Sequence, residues 1–571
     1  MTDTTRGTRQ ASDRLRRRAL PLAILAALAF GVGIVIASGG DDGGDAVGAY
    51  AKAWSAGDWA AMRAQLTSAS QEKIGLLPFA DVGRSALATA TGNERAVSTG
   101  KPESIGDDRW RVPVTVRTRI FGTVKGEIVV PVAQDGDVKR VDWQPRLVFP
   151  GLRDGERLTR RTTLPARGTL TARDGTPLAE GPARTSGIAD VAGQVVGRLG
   201  PIPTADAARV NALGVPPDAQ VGTTGLERIF DDRLGGHPSG ELLAGRRVIA
   251  RATGRPGERV RTTIDPALER ATVAALAGRY GGAVAFDPRT GAVLAFAGAP
   301  FSLLQPPGST FKVITTAGAL DAGVTKPTET FPFQSQAVLS GVPLSNAGGE
   351  VCGGTLVQAF AVSCNSVFAP LGVRLGPERL VDTAERFGFN QPAAFPIVAQ
   401  STIPQADAIG DDLAVGSTAI GQGEVQATAL QMAETAGVVA NKGVRRPLTL
   451  DLAAERAAKP GAGTRVIKAR TARQMQRMML AVVAGGTGTA AQIPGAPVAG
   501  KTGTAELKSR EPGDTSSNPQ DTDAWFVAYA PAGAGRTPRI AVGVLLVGAG
   551  AGGETAAPAA REILAAGLQR G

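Results

Sequence analysis

The feature that most narrows the possible folds is the wide separation of the apolar strands in the C-terminal half of the chain. An alternating hairpin, GGAVAFDPRTGAVLAFAG, occupies 281–298, whereas the strand-like runs DAWFVAYAP and RIAVGVLLVGA come only at 523–531 and 539–549. The long stretch between them is mostly helical in its apolar spacing, and a further helix is expected at 555–569. Strands at both ends of a helical middle imply an antiparallel sheet assembled from distant segments. A chain of 571 residues has room for two to four domains. With 43% hydrophobic and 20% charged residues it is globular in composition, and 75 Gly and 38 Pro promise many turns.

Upstream, Arg14, Arg16, Arg17 and Arg18 directly precede the charge-free run from Ala19 to Ala37. As a helix that run would measure ~28 Å, the thickness of a bilayer's hydrocarbon core. Arginines before it and Asp41, Asp42 and Asp45 after it predict a cytoplasmic tail at 1–18, a transmembrane anchor at 19–38 and the remainder outside the membrane. The small residues of IVIASGG leave a cleaved signal peptide as the alternative, and either way the bulk of the chain is exported. The stretch AVGAYAKAWSAGDWAAMRAQL reads as two helices broken at Gly57, and RWRVPVTVRTRI and GEIVVPVAQDGDVKRVDWQP read as strands with a turn at Asp135–Gly136. They predict a small α+β domain at 46–148. Short strands joined by Gly and Asp-Gly turns then fill 149–261. A helix capped by Asp265, with Pro266 at its first position, opens the last domain, 262–571.

Composition also excludes chemistry. The net charge of +11 is spread along the chain without an aromatic-interleaved basic stripe, so it reads as solvated surface and not as a nucleic-acid footprint. One histidine rules out a multi-histidine metal site, and a Ser-His-Asp triad could use only His237. The segment GAPVAGKTGTAE (495–506) contains both the phosphate-loop pattern G-x-x-x-x-G-K-T and the tripeptide K-T-G. A phosphate loop needs a buried strand before it and a helix straight after Lys-Thr. Here Pro494 and Pro497 interrupt the approach and Gly503 follows at once, so the loop reading fails on context. The other reading needs S-x-x-K and then S-x-N ahead of K-T-G. S-x-x-K occurs three times and S-x-N twice, but only Ser309/Lys312, Ser363/Asn365 and Lys501 give that order inside the last domain. Pro306, Pro307 and Gly308 block a helix before Ser309, while Phe311, Val313, Ile314, Ala317 and Leu320 continue one after it. Ser309 is therefore expected in the first turn of an apolar helix, with Lys312 three residues on and able to reach its hydroxyl. With no histidine at hand, a desolvated, neutral lysine is the natural base for a serine.

The stretches PPGSTFK, SCN and KTGTAE resemble the three motifs of the penicillin-binding protein transpeptidase family, specifically its monofunctional class B. GQGEVQATALQMAETAGVVANKG (421–443) is similar to that family's G-Q-G segment. PARGTLTARDGTPLA and GLERIFDDRLGG are similar to its non-catalytic pedestal module, and 46–148 resembles the NTF2-like domain of one subgroup. The resemblance implies an α+β multidomain protein: a C-terminal penicillin-binding/serine β-lactamase-like domain with an antiparallel sheet flanked by helices, a β-rich pedestal, a small NTF2-like domain and one transmembrane helix. It implies that Ser309 is acylated, that Lys312 is its base, that Ser363 relays a proton and that Asn365 holds the donor's amide. Lys501 and Thr502 would bind the terminal carboxylate of a D-Ala-D-Ala stem peptide or a β-lactam. The N–H groups of Ser309 and Thr504 would form the oxyanion hole, and Gly503 would let the substrate strand lie close. It implies no cofactor and no metal, with peptidoglycan, β-lactams, the membrane and cell-wall or division proteins as partners. A catalytically silent scaffold and a β-lactam sensor carry the same motifs and stand as alternatives.

Cys352 and Cys364 are twelve apart, and in an oxidising compartment they are predicted to form a disulfide worth ~3 kcal/mol by loop entropy, with two buried free thiols as the alternative. The short connection from Gly298 to Gly308 is a departure from the family that alters one wall of the site. The polar stretch LKSREPGDTSSNPQDTD after Glu506 is expected to overhang it.

Overall fold

The computed structural model describes residues 42–459, 461–506 and 521–570. The expected anchor at 19–38 and most of the polar stretch after Glu506 lie outside them. Among the described residues no helix is long and apolar enough to cross a membrane.

The chain forms two compact units. The first is built from residues up to Thr118, 122–159 and 242–250. Its helix α1 (Gly44–Ala56) ends at Gly57, whose φ of 72° is the left-handed conformation that closes a helix. It packs against an antiparallel sheet, and a further helix, α2 (Leu76–Thr89), sets Phe79 between Trp59 and Trp143; the sheet is ordered β1 (Val97–Thr99), β2 (Arg109–Arg117), β3 (Thr123–Asp135) and β4 (Val138–Val141). Asp135 pairs with Val138 around Gly136, at φ 66°, which is the hairpin expected there. Val112, Val114, Val116, Val130 and Val132 alternate into a core with Tyr50, Trp54 and Phe79.

The second unit holds 160–241 and 251–571, so most of the stretch expected as a separate middle module, 149–261, belongs with the C-terminal part. Within it Leu170–Thr171 pairs antiparallel with Pro177–Ala179 and parallel with Val260–Arg261. The two stretches singled out in the middle region meet through charge. The buried Glu227 accepts from Arg167 and Arg184, each at 2.7 Å, and Arg167 also reaches Asp231 at 2.8 Å.

Asp265 opens the rest of this unit by accepting from the N–H groups of Ala267 and Leu268 at the head of α3 (Pro266–Leu276). Next come β5 (Gly281–Phe286), β6 (Val293–Gly298), α4 (Lys312–Asp321), α5 (Leu356–Ala361), α6 (Asn365–Leu375), α7 (Ala429–Ala440) and α8 (Ala469–Gly485). The chain returns to the sheet with β7 (Ala499–Glu506), β8 (Thr522–Ala530) and β9 (Ile540–Leu546), then ends in α9 (Ala556–Leu568). The sheet runs β6-β5-β9-β8-β7, antiparallel throughout, with Gly281 opposite Leu546 and Lys501 opposite Val527. Alternation sorts the strands between two cores. Trp525, Val527 and Tyr529 face the core shared with α4, α6, α7 and α8, while Ala524, Phe526, Ala528 and Ala530 face the one shared with α3 and α9. All nine residues of β8 are buried, so a sheet covered on both faces reads in sequence as a continuous apolar run. The strand β7 lies at the sheet's edge and carries K-T-G.

Candidate active site

Ser309 sits in a tight 3-10 turn, Gly308–Phe311, that leads directly into α4 at Lys312. The turn is clamped against two neighbours that demand glycine. Gly308 has φ 51°, and a Cβ on it would come within 2.6 Å of the Thr504 carbonyl; its N–H donates to Gly421 O at 2.9 Å. Ahead of the turn the short connection from Gly298 is tied down, since Phe301 packs on Phe296 with ring centroids 4.6 Å apart and its carbonyl accepts from Ala399 at 2.7 Å.

Gly503 is the point where the strand and the Ser309 turn come closest. The space its side chain would fill is occupied by Pro307 O, Thr310 Cγ2 and Trp525 Cβ, each about 2.9 Å away. The missing side chain admits the Ser309 turn to the strand. Residues 495–502 do not form a phosphate loop, because Lys501 and Thr502 lie within β7 as it continues to Glu506.

Ser363 owes its position to a helix ending. The α5 helix closes with Ser363 N–H donating to Phe360 O at 3.2 Å and Cys364 N–H to Ala359 O at 3.0 Å, a pairing that puts the first of the two donors in the left-handed region. That residue is normally glycine; here it is Ser363, with φ 65°. Cys364 is bonded to Cys352 as a disulfide with Cα atoms 5.9 Å apart, and it immediately precedes α6, whose first residue is Asn365.

These elements converge on two fully buried amines. Lys312 Nζ lies 2.8 Å from Ser309 Oγ, 2.8 Å from Ser363 O, 3.2 Å from Ser363 Oγ and 2.6 Å from Asn365 Oδ1. Lys501 Nζ donates to Ser363 Oγ at 2.8 Å and to Thr502 O at 3.0 Å. Neither amine has a carboxylate partner among the described residues; instead each lies over a ring, Lys312 5.8 Å from the Phe368 centroid and Lys501 5.6 Å from that of Phe360. Burial drives the ammonium of Lys312 well below the ordinary lysine range, and the neighbouring charge of Lys501 pushes it the same way. Burial brings Lys501 down to about 7.

The proton count fits a neutral Lys312. Such an amine has two N–H groups and a lone pair. Ser363 O and Asn365 Oδ1, which only accept, take the two protons, and the lone pair remains for the Ser309 hydroxyl. A serine activated in this way is a nucleophile, and the Ser363 hydroxyl, held between two amines, can pass a proton between them. Asn365 Nδ2 donates one proton to Ser345 O at 2.9 Å and keeps a second for another acceptor. Thr502 Oγ1 meets Thr487 Oγ1 at 2.6 Å, and Thr504 Oγ1 accepts from Gly552 N at 3.4 Å. Ser309, Lys312, Ser363, Asn365, Lys501, Thr502 and Thr504, scattered in sequence, are thus brought together around one cluster. Thr487, Phe360 and Phe368 had no sequence signal, and Gly421 had one only through its G-Q-G segment.

Residues 281–565 match the penicillin binding protein transpeptidase domain family, and residues 43–156 match the NTF2-like N-terminal transpeptidase domain family. The peptidoglycan D,D-transpeptidase PbpA of Mycolicibacterium smegmatis is 35% identical over 409 residues, which is 61% of this chain and 80% of that protein. The crystal structure of PBPA from Mycobacterium tuberculosis, at 28% identity, covers 71% of this chain and 100% of its own with a TM-score of 0.54. The penicillin G acyl-enzyme complex of M. tuberculosis penicillin-binding protein A aligns at 27% identity with the same coverage and a TM-score of 0.54.

Proposed function

As a member of the class B penicillin-binding transpeptidase family with an NTF2-like domain, the chain is a peptidoglycan D,D-transpeptidase, and we propose that Ser309 is the residue it acylates. The observation that carries this assignment is the 2.8 Å contact between Ser309 Oγ and the buried, charge-poor Lys312 amine. Lys312 takes the proton as Ser309 Oγ attacks the carbonyl of the D-Ala-D-Ala peptide bond. The N–H groups of Ser309 and Thr504 receive the oxyanion. As the C–N bond breaks, the proton passes from Lys312 through the Ser363 hydroxyl to the departing amine of D-alanine. The amine of a second stem peptide then attacks the ester, returns a proton by the same path and frees Ser309. Lys501, with Thr502, meets the donor's terminal carboxylate, and the spare N–H of Asn365 meets a donor carbonyl. A β-lactam follows the first half only, because its leaving nitrogen stays tethered to the acyl group.

The charge-free run 19–37 behind its arginines supports a single-pass anchor that holds the catalytic unit on the outer face of the cell membrane, beside its substrate. Residues 149–261 are read as the pedestal module, with Glu227 at its centre. A fluorescent penicillin tests the assignment: the full chain takes one label, mass spectrometry places it on the peptide containing Ser309, and Ser309→Ala takes none. Labelling that persists in Ser309→Ala, or its absence from the wild type, would refute it.

A further inference from the structure

A cavity of about 300 Å³ lies in the second unit, between the loop 388–401, the first half of α7 and the segment 445–448. None of the residues assigned to acylation lines it. Its walls are fixed: Ala399 N–H donates to Phe301 O at 2.7 Å, Thr428 N–H to Ser401 Oγ at 3.1 Å, and the Thr428 hydroxyl accepts from Gln431 N–H at the head of α7.

Two opposite charges face this space without satisfying each other. The Glu434 carboxylate and the Arg445 guanidinium both line it, and each feels the other's field, yet no ion pair within 4 Å joins them and neither has a hydrogen-bond partner among the described residues. Burial lifts the Glu434 carboxyl to about 7, against the pull of the Arg445 charge. The neighbouring Gln431 is similar: its Nε2 donates to Phe387 O at 2.9 Å, and its Oε1 accepts from no group among the described residues. Gly388 keeps the corner open. At φ 119° it has no side chain, and a Cβ there would lie 2.3 Å from Arg445 Nη1 and 2.9 Å from Gln431 Oε1. Unpaired charges held apart across a rigid, roomy void are costly unless something of complementary charge or water lies between them. The volume is at the lower end of small-molecule sites, which suits an occupant of dipeptide size.

We propose that this cavity binds a small zwitterion, its carboxylate on the Arg445 guanidinium and its ammonium between the Glu434 carboxylate and Gln431 Oε1. The site is separate from acylation and does not depend on the assignment of Ser309. Glycylglycine is the probe, titrated calorimetrically into the full chain before and after acylation with penicillin. Saturable binding with one site is expected in both states, because the cavity shares no residue with the acylated centre. Glu434→Gln and Arg445→Gln should each weaken it about tenfold or more, the loss typical of one charge-assisted contact. The same loss is expected on the ligand side with N-acetylglycylglycine, which lacks the ammonium, and with glycylglycine amide, which lacks the carboxylate. These two probes need no variant to fold. Absence of saturable binding at millimolar probe, competition by penicillin, or equal binding of the charge-blocked probes would each overturn the proposal.

Discussion

Two amines buried side by side should give acylation a pH profile whose limbs belong to different lysines. A penicillin carries a carboxylate, and Lys501 can attract it only as an ammonium. With Lys501 held at about 7 by burial, roughly one free-enzyme molecule in ten is charged there at pH 8 and one in a hundred at pH 9. The second-order rate constant for penicillin labelling should therefore fall about tenfold per pH unit above neutrality. The acid limb belongs to Lys312, which must shed its proton to act as base; burial first, and the charge of Lys501 second, move that limb below the ordinary lysine range. Lys501→Arg keeps a cation to about pH 12, so the alkaline limb should disappear while the acid limb stays. Labelling rates from about pH 5 to 10, on protein checked as folded at each pH, measure both. A wild-type rate that is level from about pH 7.5 to 9.5, or a variant that keeps the decline, refutes the reasoning. An independent check comes from stability. A lysine whose folded value lies below its unfolded value of about 10.4 leaves the folded state with fewer protons across the window from about 7 to 10.4, so its contribution to stability rises with pH there.

Three further outcomes follow from other parts of the structure. At Ser363, whose φ is 65°, Ser363→Gly and Ser363→Ala both lose the hydroxyl between the two amines, and turnover should drop about a hundredfold in each. Glycine should nevertheless be more stable than alanine by about 1 kcal/mol in denaturant titration, and equal stabilities would contradict the backbone reading. Glu269 is buried beneath the sheet with Oε2 accepting from Phe296 N at 2.8 Å and Oε1 without a partner among the described residues, and burial raises it to about 8. The folded state therefore keeps a proton that the unfolded chain sheds between about 4.3 and 8, and stability falls as pH rises through that window. Glu269→Gln should gain on the order of 2–4 kcal/mol over wild type at pH 8 and little at pH 5, whereas the same difference at both values would exclude the buried acid as its source. Replacing Cys352 and Cys364 together by alanine removes about 3 kcal/mol of constraint next to Ser363 and Asn365, and penicillin labelling should slow accordingly. Unchanged labelling would mean that the helix ends alone hold the two residues.

Much of the candidate cluster was legible because its residues sit on rigid local patterns. Pro306-Pro307-Gly308 ahead of an apolar run places Ser309 at a helix start, and the three-residue step to Lys312 needs no tertiary knowledge. The order of Ser309, Ser363 and Lys501 could be read, as could the return of the chain to one sheet, since β-strands must find partners somewhere. What stayed hidden depends on three-dimensional fit. Sequence does not show that Pro307 and Thr310 pack into the space a side chain on Gly503 would take. The left-handed Ser363 follows from a helix ending that sequence would assign to glycine. The rings of Phe360 and Phe368 under the two amines, the buried acid at Glu269 and the unpaired charges at Glu434 and Arg445 come from long-range packing, for which local periodicity carries no signal.

The central position of β9 carries a message about the order of synthesis. Ribosomes deliver the Ser309 turn early, but the strand that joins β5 to β8 is complete only at Leu546, so until then the edge bearing Lys501 has nothing to fasten it to the first hairpin. On the proposed assignment, a growing polypeptide thus holds Ser309 before Lys501 is fixed beside Ser363, and should not take a penicillin label. For the same reason a stop codon anywhere before that final strand should yield an inert product, however completely the three motifs have been translated.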